Sequence, residues 1–273
     1  MRILALETSG ARGGIALAET ASATTDRLNL IQEVRLAEGL RHGRDLVLAA
    51  SEACRKAGWD KRAIDLVAVS IGPGSFTGVR IAVTLAKFLA WDTGAKIAAV
   101  PSLRALAENA PPDRRRIATI VDANRGGLFA SLFERRTEGG LAARPVWEET
   151  FGPALIEPEA LARRILLCEA ALRCEPTPPK QPLRLRRPEA RVAPPAFVLG
   201  HGLTKGRAAL AAFDLAPPDL WDIRPASIAR LGFDLACREQ FSDPLRLEPI
   251  YLRRPEAEEL WERRYNLPPR APL

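Results

Sequence analysis

Apolar residues group into short runs at the start of the chain. Ile3–Leu6 is closed by the polar turn Glu7-Thr8-Ser9-Gly10-Ala11-Arg12-Gly13, and Gly14-Ile15-Ala16-Leu17-Ala18 follows at once, a pattern that predicts a β-hairpin. Imperfect alternation over Ile31–Leu36 predicts a third strand. From His42 to Ala57 the period changes to that of a helix. Leu46, Val47, Ala50, Cys54 and Ala57 fall on one stripe, and Gly58 ends it. Ile64–Ser70 then reads as a buried strand, followed by the loop Ile71-Gly72-Pro73-Gly74-Ser75-Phe76-Thr77-Gly78 and a helix over roughly Val79–Trp91. Strand Ile97–Val100 and a short helix from Ser102 complete a unit in which a hairpin precedes alternating elements. That order predicts a mixed sheet with helices on both faces.

The order then restarts. Ile117–Asp122 is a second strand ending in a carboxylate, and a Gly126-Gly127 pair and the apolar run Leu128–Phe133 follow, as Gly13-Gly14 and a strand follow Glu7. Duplication and chance recurrence both account for the match, and duplication is the favoured reading. Beyond it a helix is predicted near Pro158–Cys174. The segment Pro176–Pro195, with seven prolines and an Arg184–Arg187 cluster, reads as an irregular loop. A strand over Ala196–Gly200, a helix over Leu203–Phe213 and a last helix near Ser227–Gln240 close the pattern. No apolar stretch reaches the ~20 residues of a membrane span. Glu7 also interrupts the first apolar run too early for a secretory core, so a cytoplasmic location is expected.

Composition changes this picture little. The 273 residues carry 40 Lys+Arg against 33 Asp+Glu, a formal charge of +7. Only six of the basic residues are lysine; such an arginine-rich balance reads first as drift in a GC-rich genome, with direct contact with RNA the less favoured alternative. Four cysteines (Cys54, Cys168, Cys174, Cys237) and two histidines (His42, His201) show no metal-ligand spacing, and neither zinc nor disulfides are expected.

Three places could carry chemistry. The Gly72–Gly78 loop joins a buried strand to a helix and offers glycines, hydroxyls and helix N–H groups, which suits either an anion or a tight structural turn. It lacks the lysine of a P-loop, and its GxGxxxG spacing is not the dinucleotide fingerprint. Glu7 and Asp122 would face one another if the halves are related, and such a pair could hold Mg²⁺ or activate water; the favoured alternative is that each caps its own turn. Third, the helix Val79–Trp91 has one narrow polar stripe, Arg80, Thr84 and Lys87. Its remaining residues (Ile81, Val83, Leu85, Phe88, Leu89) exceed what one sheet face needs. With Leu48 and Ala49 of the preceding helix they would form a patch, covered either by a partner or by the rest of the chain.

Three segments, Ile3–Ser9, Gly72–Arg80 and Glu248–Pro255, resemble one family, TsaB (YeaZ), a subunit of the bacterial tRNA threonylcarbamoyladenosine machinery. The resemblance covers roughly residues 1–135 and the C-terminal motif. It implies an α/β, actin/Hsp70-like (ASKHA) fold of two ribonuclease-H-like domains, with mixed sheets flanked by helices. The first would comprise 1–108 plus about 223–273, and the second 109–222 with a Pro-rich insert at 176–195. It further implies a non-catalytic scaffold for a TsaD-like transferase, which moves the threonylcarbamoyl group to N6 of adenosine 37 in tRNAs reading ANN codons. A TsaE-like ATPase would be a further partner, tRNA would be reached through the complex, and the chain alone could pair with itself. The implied docking face is the helix pair, with Leu48, Ser51, Val83, Thr84, Leu85, Lys87, Phe88 and Trp91. No cofactor of its own is implied; ATP or ADP at the partner interface stays open. Nucleotide-proximal candidates are Glu7, Thr8, Ser9, Gly72, Gly74, Ser75, Thr77, Gly78, Arg80 and Asp122. Two departures stand out: Glu7 occupies a position where the family commonly has Asp, and the insert is unfamiliar. The competing functions are an active ASKHA-type ATPase or kinase using Glu7, Asp122 and the glycine loop, and, further off, a peptidase.

Overall fold

In the computed structural model the described residues are 1–21, 28–37, 42–137, 145–173, 196–253, 261 and 264–265, so Cys174 and the Pro-rich segment lie outside them. The first repeat runs β1 (Arg2–Glu7), β2 (Gly14–Glu19), β3 (Asn29–Arg35), α1 (His42–Lys56), β4 (Leu66–Ser70), α2 (Phe76–Thr93), β5 (Lys96–Val100) and α3 (Ser102–Ala107). The second runs β6 (Arg116–Asp122), β7 (Leu128–Thr137), β8 (Pro145–Ile156), α4 (Pro158–Arg173), β9 (Phe197–Leu199), α5 (Leu203–Gly206), β10 (Asp214–Leu215) and α6 (Pro225–Cys237). One sheet has the order β3-β2-β1-β4-β5 and the other β10-β9-β6-β7-β8, the same topology read from opposite ends. In each sheet the first three strands pair antiparallel and the remaining ones parallel. Duplication is therefore visible in the element order itself.

The strands read as near-continuous apolar runs because each sheet is covered on both faces. Successive side chains alternate between faces, so Ile3, Ala5, Leu66, Ala68, Ala98 and Val100 join a central core, while Leu4, Leu6, Val67, Val69 and Ile97 join an outer one. Likewise Ile117, Val121, Phe129 and Phe133 face the centre, and Ala118, Ile120, Leu128 and Leu132 the far side. Five layers result: α1 and α2, the first sheet, α3 with α6, the second sheet, then α4 with α5. The third helix of each repeat crosses over: α3 packs against β6 and β7, and α6 against β1, β2, β4 and β5. Gly232 of α6 allows the close approach, since a Cβ there would lie 2.4 Å from that of Ala68.

Several predicted boundaries need correction. α2 begins at Phe76, three residues early, because Ser75 caps it by accepting a hydrogen bond from the Gly78 amide. The predicted helix Leu203–Phe213 stops after one turn, and the backbone is then drawn into β10 through Asp214 N–H to Ala196 O and Ala216 N–H to Val198 O. β8 and β10, not foreseen, complete the second sheet as β3 and β5 complete the first. Val47, expected on the buried stripe, is 48% exposed; Leu46, Ala50, Ala53 and Cys54 make the actual contact with the sheet. Cys54 and Cys168 are free thiols. Among the described residues no helix is long and apolar enough to cross a membrane.

Candidate functional site

A cleft of about 770 Å³ opens between the two repeats. Its walls are the β1–β2 turn, the head of α2, the β6–β7 turn, Trp221–Ile223 and the tail residues Ile250–Arg253. Of the nucleotide-proximal candidates, Ser9, Gly74, Ser75, Thr77 and Asp122 line it; Glu7, Thr8, Gly72, Gly78 and Arg80 do not.

The first wall is built by hydrogen bonds within itself. Glu7 is fully buried, and one carboxylate oxygen, Oε1, accepts from the Ser9 amide (2.6 Å), the Ser9 hydroxyl (2.7 Å) and the Gly10 amide (3.0 Å). The other oxygen, Oε2, is buried with no partner in hydrogen-bond geometry. The hydroxyls of Ser70 and Ser102 donate to Ser9 Oγ at 3.0 and 2.8 Å, so a small polar cluster lies beneath the glycine loop. Burial pushes the Glu7 carboxyl above its ordinary value, against the lowering by the Ser9 and Ser70 hydroxyls and by the Gly10 and Ser9 amides. Glu7 thus caps its own turn and presents nothing to the cleft.

The loop glycines are likewise occupied. A Cβ at Gly74 would lie 2.3 Å from the Ser9 carbonyl oxygen, and one at Gly78 would lie 1.9 Å from that of Thr8. Thr8 Oγ donates to Gly78 O (2.6 Å), and the Ser75 amide donates to Ser9 O (2.8 Å). The loop is glycine-rich because it presses backbone to backbone on the β1–β2 turn. Across the cleft Asp122 accepts from the Asn124 amide (2.8 Å) and pairs with Lys205 (2.7 Å). The two acids therefore do not form one site: one is sealed and saturated on Oε1, and the other is neutralised by a lysine. Among the described residues no three His, Cys, Asp or Glu side chains gather as metal ligands would.

The outer face of the first repeat is different in kind. α1 and α2 lie side by side over the first sheet. Val79, Ala82, Val83, Ala86 and Ala90 of α2 turn inward, which removes Val83 from the expected exposed face. Leu85 is half-buried against the outer core, as are Ile81 and Leu89. What remains in solvent is Leu48 (57% exposed) with Val47 on α1, and Phe88 (55%) and Trp91 (82%) on α2. Thr84 and Ser51 are exposed among them, and Lys87 is half-buried. The rings of Phe88 and Trp91 lie 6.3 Å apart.

The family model described as "TsaD: tRNA N6-adenosine threonylcarbamoyltransferase" matches residues 38–159. The "tRNA threonylcarbamoyladenosine biosynthesis protein TsaB" of Bacillus subtilis (strain 168) is 35% identical over 134 residues, 49% of this chain and 56% of that protein. Its Escherichia coli (strain K12) namesake is 29% identical over 104 residues, 37% of this chain and 42% of that one. The chain is similar to TsaB (YeaZ) proteins. It spans about half the length of the curated relatives it matches. In fold it is similar to YeaZ from Pseudomonas aeruginosa, with a TM-score of 0.66 at 20% identity over 92% of this chain and 99% of that one. A structure from the same organism described as having similarity to peptidase YeaZ gives 0.65 at 21% identity, with the same coverage. The architecture is the ASKHA one, two ribonuclease-H-like sheets flanked by helices. The cleft also holds residues that carried no expected role. His201 stands edge-on to Trp221 (6.1 Å, 73°), and Tyr251, Leu252 and Arg253 of the C-terminal motif form one rim. The motif was the available signal for that rim; nothing in the sequence joins His201 to Trp221.

Proposed function

We propose that the chain is a non-catalytic subunit of the machinery that makes N6-threonylcarbamoyladenosine in tRNA, and that it holds a TsaD-type transferase through the α1–α2 face. Both curated relatives are named as biosynthesis proteins for that modification. The observation that carries the docking reading is the set Val47, Leu48, Phe88 and Trp91, two large aromatic and two aliphatic side chains in solvent on adjacent helices. Fully burying side chains of this size is worth about 1.5–3 kcal/mol each, enough for a few to anchor an interface. Charged pairs flank the face, Lys56 with Glu52 (2.8 Å) on α1 and Asp92 of α2 with Lys61 of the segment between α1 and β4 (2.7 Å), and suit a polar rim. tRNA and a TsaE-type ATPase would be reached through the complex, and a nucleotide, where one is needed, would sit at the partner interface. The closed carboxylate and the filled glycine loop count against turnover by this chain alone.

Co-expression with a TsaD-type transferase tests the reading. Phe88→Glu and Leu48→Glu should each prevent co-purification while leaving the melting temperature of the isolated chain within about 2 °C, since both side chains are exposed. Recovery of the intact complex with either variant overturns the assignment of the face. ATP turnover by the purified wild-type chain, lost on Asp122→Ala, overturns the non-catalytic role.

A further inference from the structure

Six residues near the end of the described chain cross the mouth of the cleft. The Ile250 amide donates to Ile71 O (2.7 Å), and its carbonyl lies against Gly72, where a Cβ would sit 3.2 Å away. Tyr251 packs its ring on Phe76 at the head of α2 (5.1 Å) and accepts a hydrogen bond from Arg80 Nε (2.7 Å). The Arg80 guanidinium lies 3.8 Å from the Phe76 ring centroid, so three side chains from two segments are stacked together. Two residues on, the Arg253 guanidinium donates to the carbonyl oxygens of Ala123 and Asn124 in the β6–β7 turn of the other repeat.

That turn is an unusual anchor. Asn124, Arg125 and Gly126 take φ of 60°, 50° and 83°, three successive left-handed residues of which two carry side chains. Such backbone persists where surrounding contacts fix it. Here the contacts are the Asp122 carboxylate on the Asn124 amide, the Gly127 amide on Asn124 O, and the charged donor of Arg253 on the two carbonyls. The floor of the cleft is closed by the common core of α3 and α6. At the rim, the tail connects the two walls directly.

We propose that Glu248–Arg253 is a strap that sets the gap between the repeats and transmits displacement of the α2 head to the β6–β7 turn. The strap makes α2 of one repeat and the strained turn of the other a single mechanical unit. It stands on its own contacts, whether or not the α1–α2 face binds a transferase.

Hydrogen–deuterium exchange on the full chain, compared among wild type, Arg253→Ala, Arg253→Lys and Tyr251→Phe, tests it without any partner. Loss of a charge-assisted hydrogen bond should speed exchange in a peptide covering Asp122–Gly127 roughly tenfold or more in Arg253→Ala. The peptide covering Ser75–Val79 should speed up with it, while peptides within β1 and β4 stay unchanged. Tyr251→Phe, which leaves Arg253 in place, should move the same two peptides together, and Arg253→Lys should lie between wild type and Arg253→Ala. Exchange that rises uniformly along the chain, or a change confined to the turn with the α2 head unaffected in all three variants, overturns the proposal. Should Arg253→Ala fail to fold, Arg253→Lys and Tyr251→Phe decide alone.

Discussion

Gly78→Ala separates the two roles that a glycine-rich loop can play. The added Cβ would lie 1.9 Å from Thr8 O and 3.0 Å from the Thr8 carbonyl carbon, backbone atoms of the β1–β2 connection that cannot swing aside as a side-chain tip can. An ordinary carbon–oxygen contact is about 3.3 Å, so the loop and the turn must part by more than 1 Å. That movement strains the Thr8 Oγ to Gly78 O bond of 2.6 Å and the Ser75 N–H to Ser9 O bond of 2.8 Å, two partly or wholly buried links. Overpacking of this kind costs about 1–3 kcal/mol, and a weakened hydrogen bond adds about 0.5–1.5 kcal/mol. Alanine in the first turn of α2 recovers up to about 1 kcal/mol of helix propensity. The net loss is about 0.5–4.5 kcal/mol, a fall in melting temperature of roughly 1–18 °C for a chain of this size. Urea unfolding followed by circular dichroism, with Thr77→Ala as the exposed neighbour, reads this directly. A loop kept open for a phosphate predicts the reverse, with little change in stability for Gly78→Ala and a loss of anion binding. A loss below about 0.5 kcal/mol would refute the packing argument.

Glu7→Gln should alter the pH dependence of stability. Burial raises the folded carboxyl above its unfolded value, so the stability tied to its proton is fully present below the ordinary carboxylate range and is lost as pH rises through the raised value. The melting-temperature difference between Glu7→Gln and wild type should therefore shift in favour of the variant from pH 4 upward; a constant difference across the series would sink the assignment. Thr119→Val should be neutral or stabilising by up to about 1 kcal/mol in urea unfolding, because the Thr119 hydroxyl is buried in the central core without a partner. A loss above about 1 kcal/mol would mean that the hydroxyl is satisfied in solution.

The first repeat was legible because its strands are covered on both faces, and Ile3–Leu6 and Leu66–Ser70 announce this with unbroken apolar runs. β8 was not, because Glu148, Glu149 and Thr150 lie in a strand at the sheet edge and its register is imposed by β7. The alanine-rich stretch after Leu203 has high helix propensity, yet parallel pairing of β10 with β9 captures the backbone instead. Glu7 and Asp122 read as equivalents and are equivalent in topology. Burial of Glu7 and the Lys205 partner of Asp122 separate them, and neither Lys205 nor the serine cluster at residues 9, 70 and 102 is brought to its acid by a local pattern. The excess apolar character of α2 was legible as a quantity, but not how it divides between core and solvent.

That division follows from where each helix lies. α6 is as apolar as α2, and Ile228, Ala229, Leu231, Gly232, Phe233 and Ala236 are all buried because the helix lies in the central layer between two sheets. α2 lies in an outer layer, with the sheet beneath it and α1 at its side, so among the described residues nothing covers the apolar side chains at positions 88 and 91. The second repeat repeats this geometry only in part. α4 stands where α1 stands, with Leu166 and Leu167 exposed, but its partner α5 is a single turn and cannot extend a paired face. Arg163 and Arg164 are moreover exposed just before those leucines. A broad two-helix apolar surface therefore arises on one side of a duplicated fold, the side whose α2 head is tied to the strap.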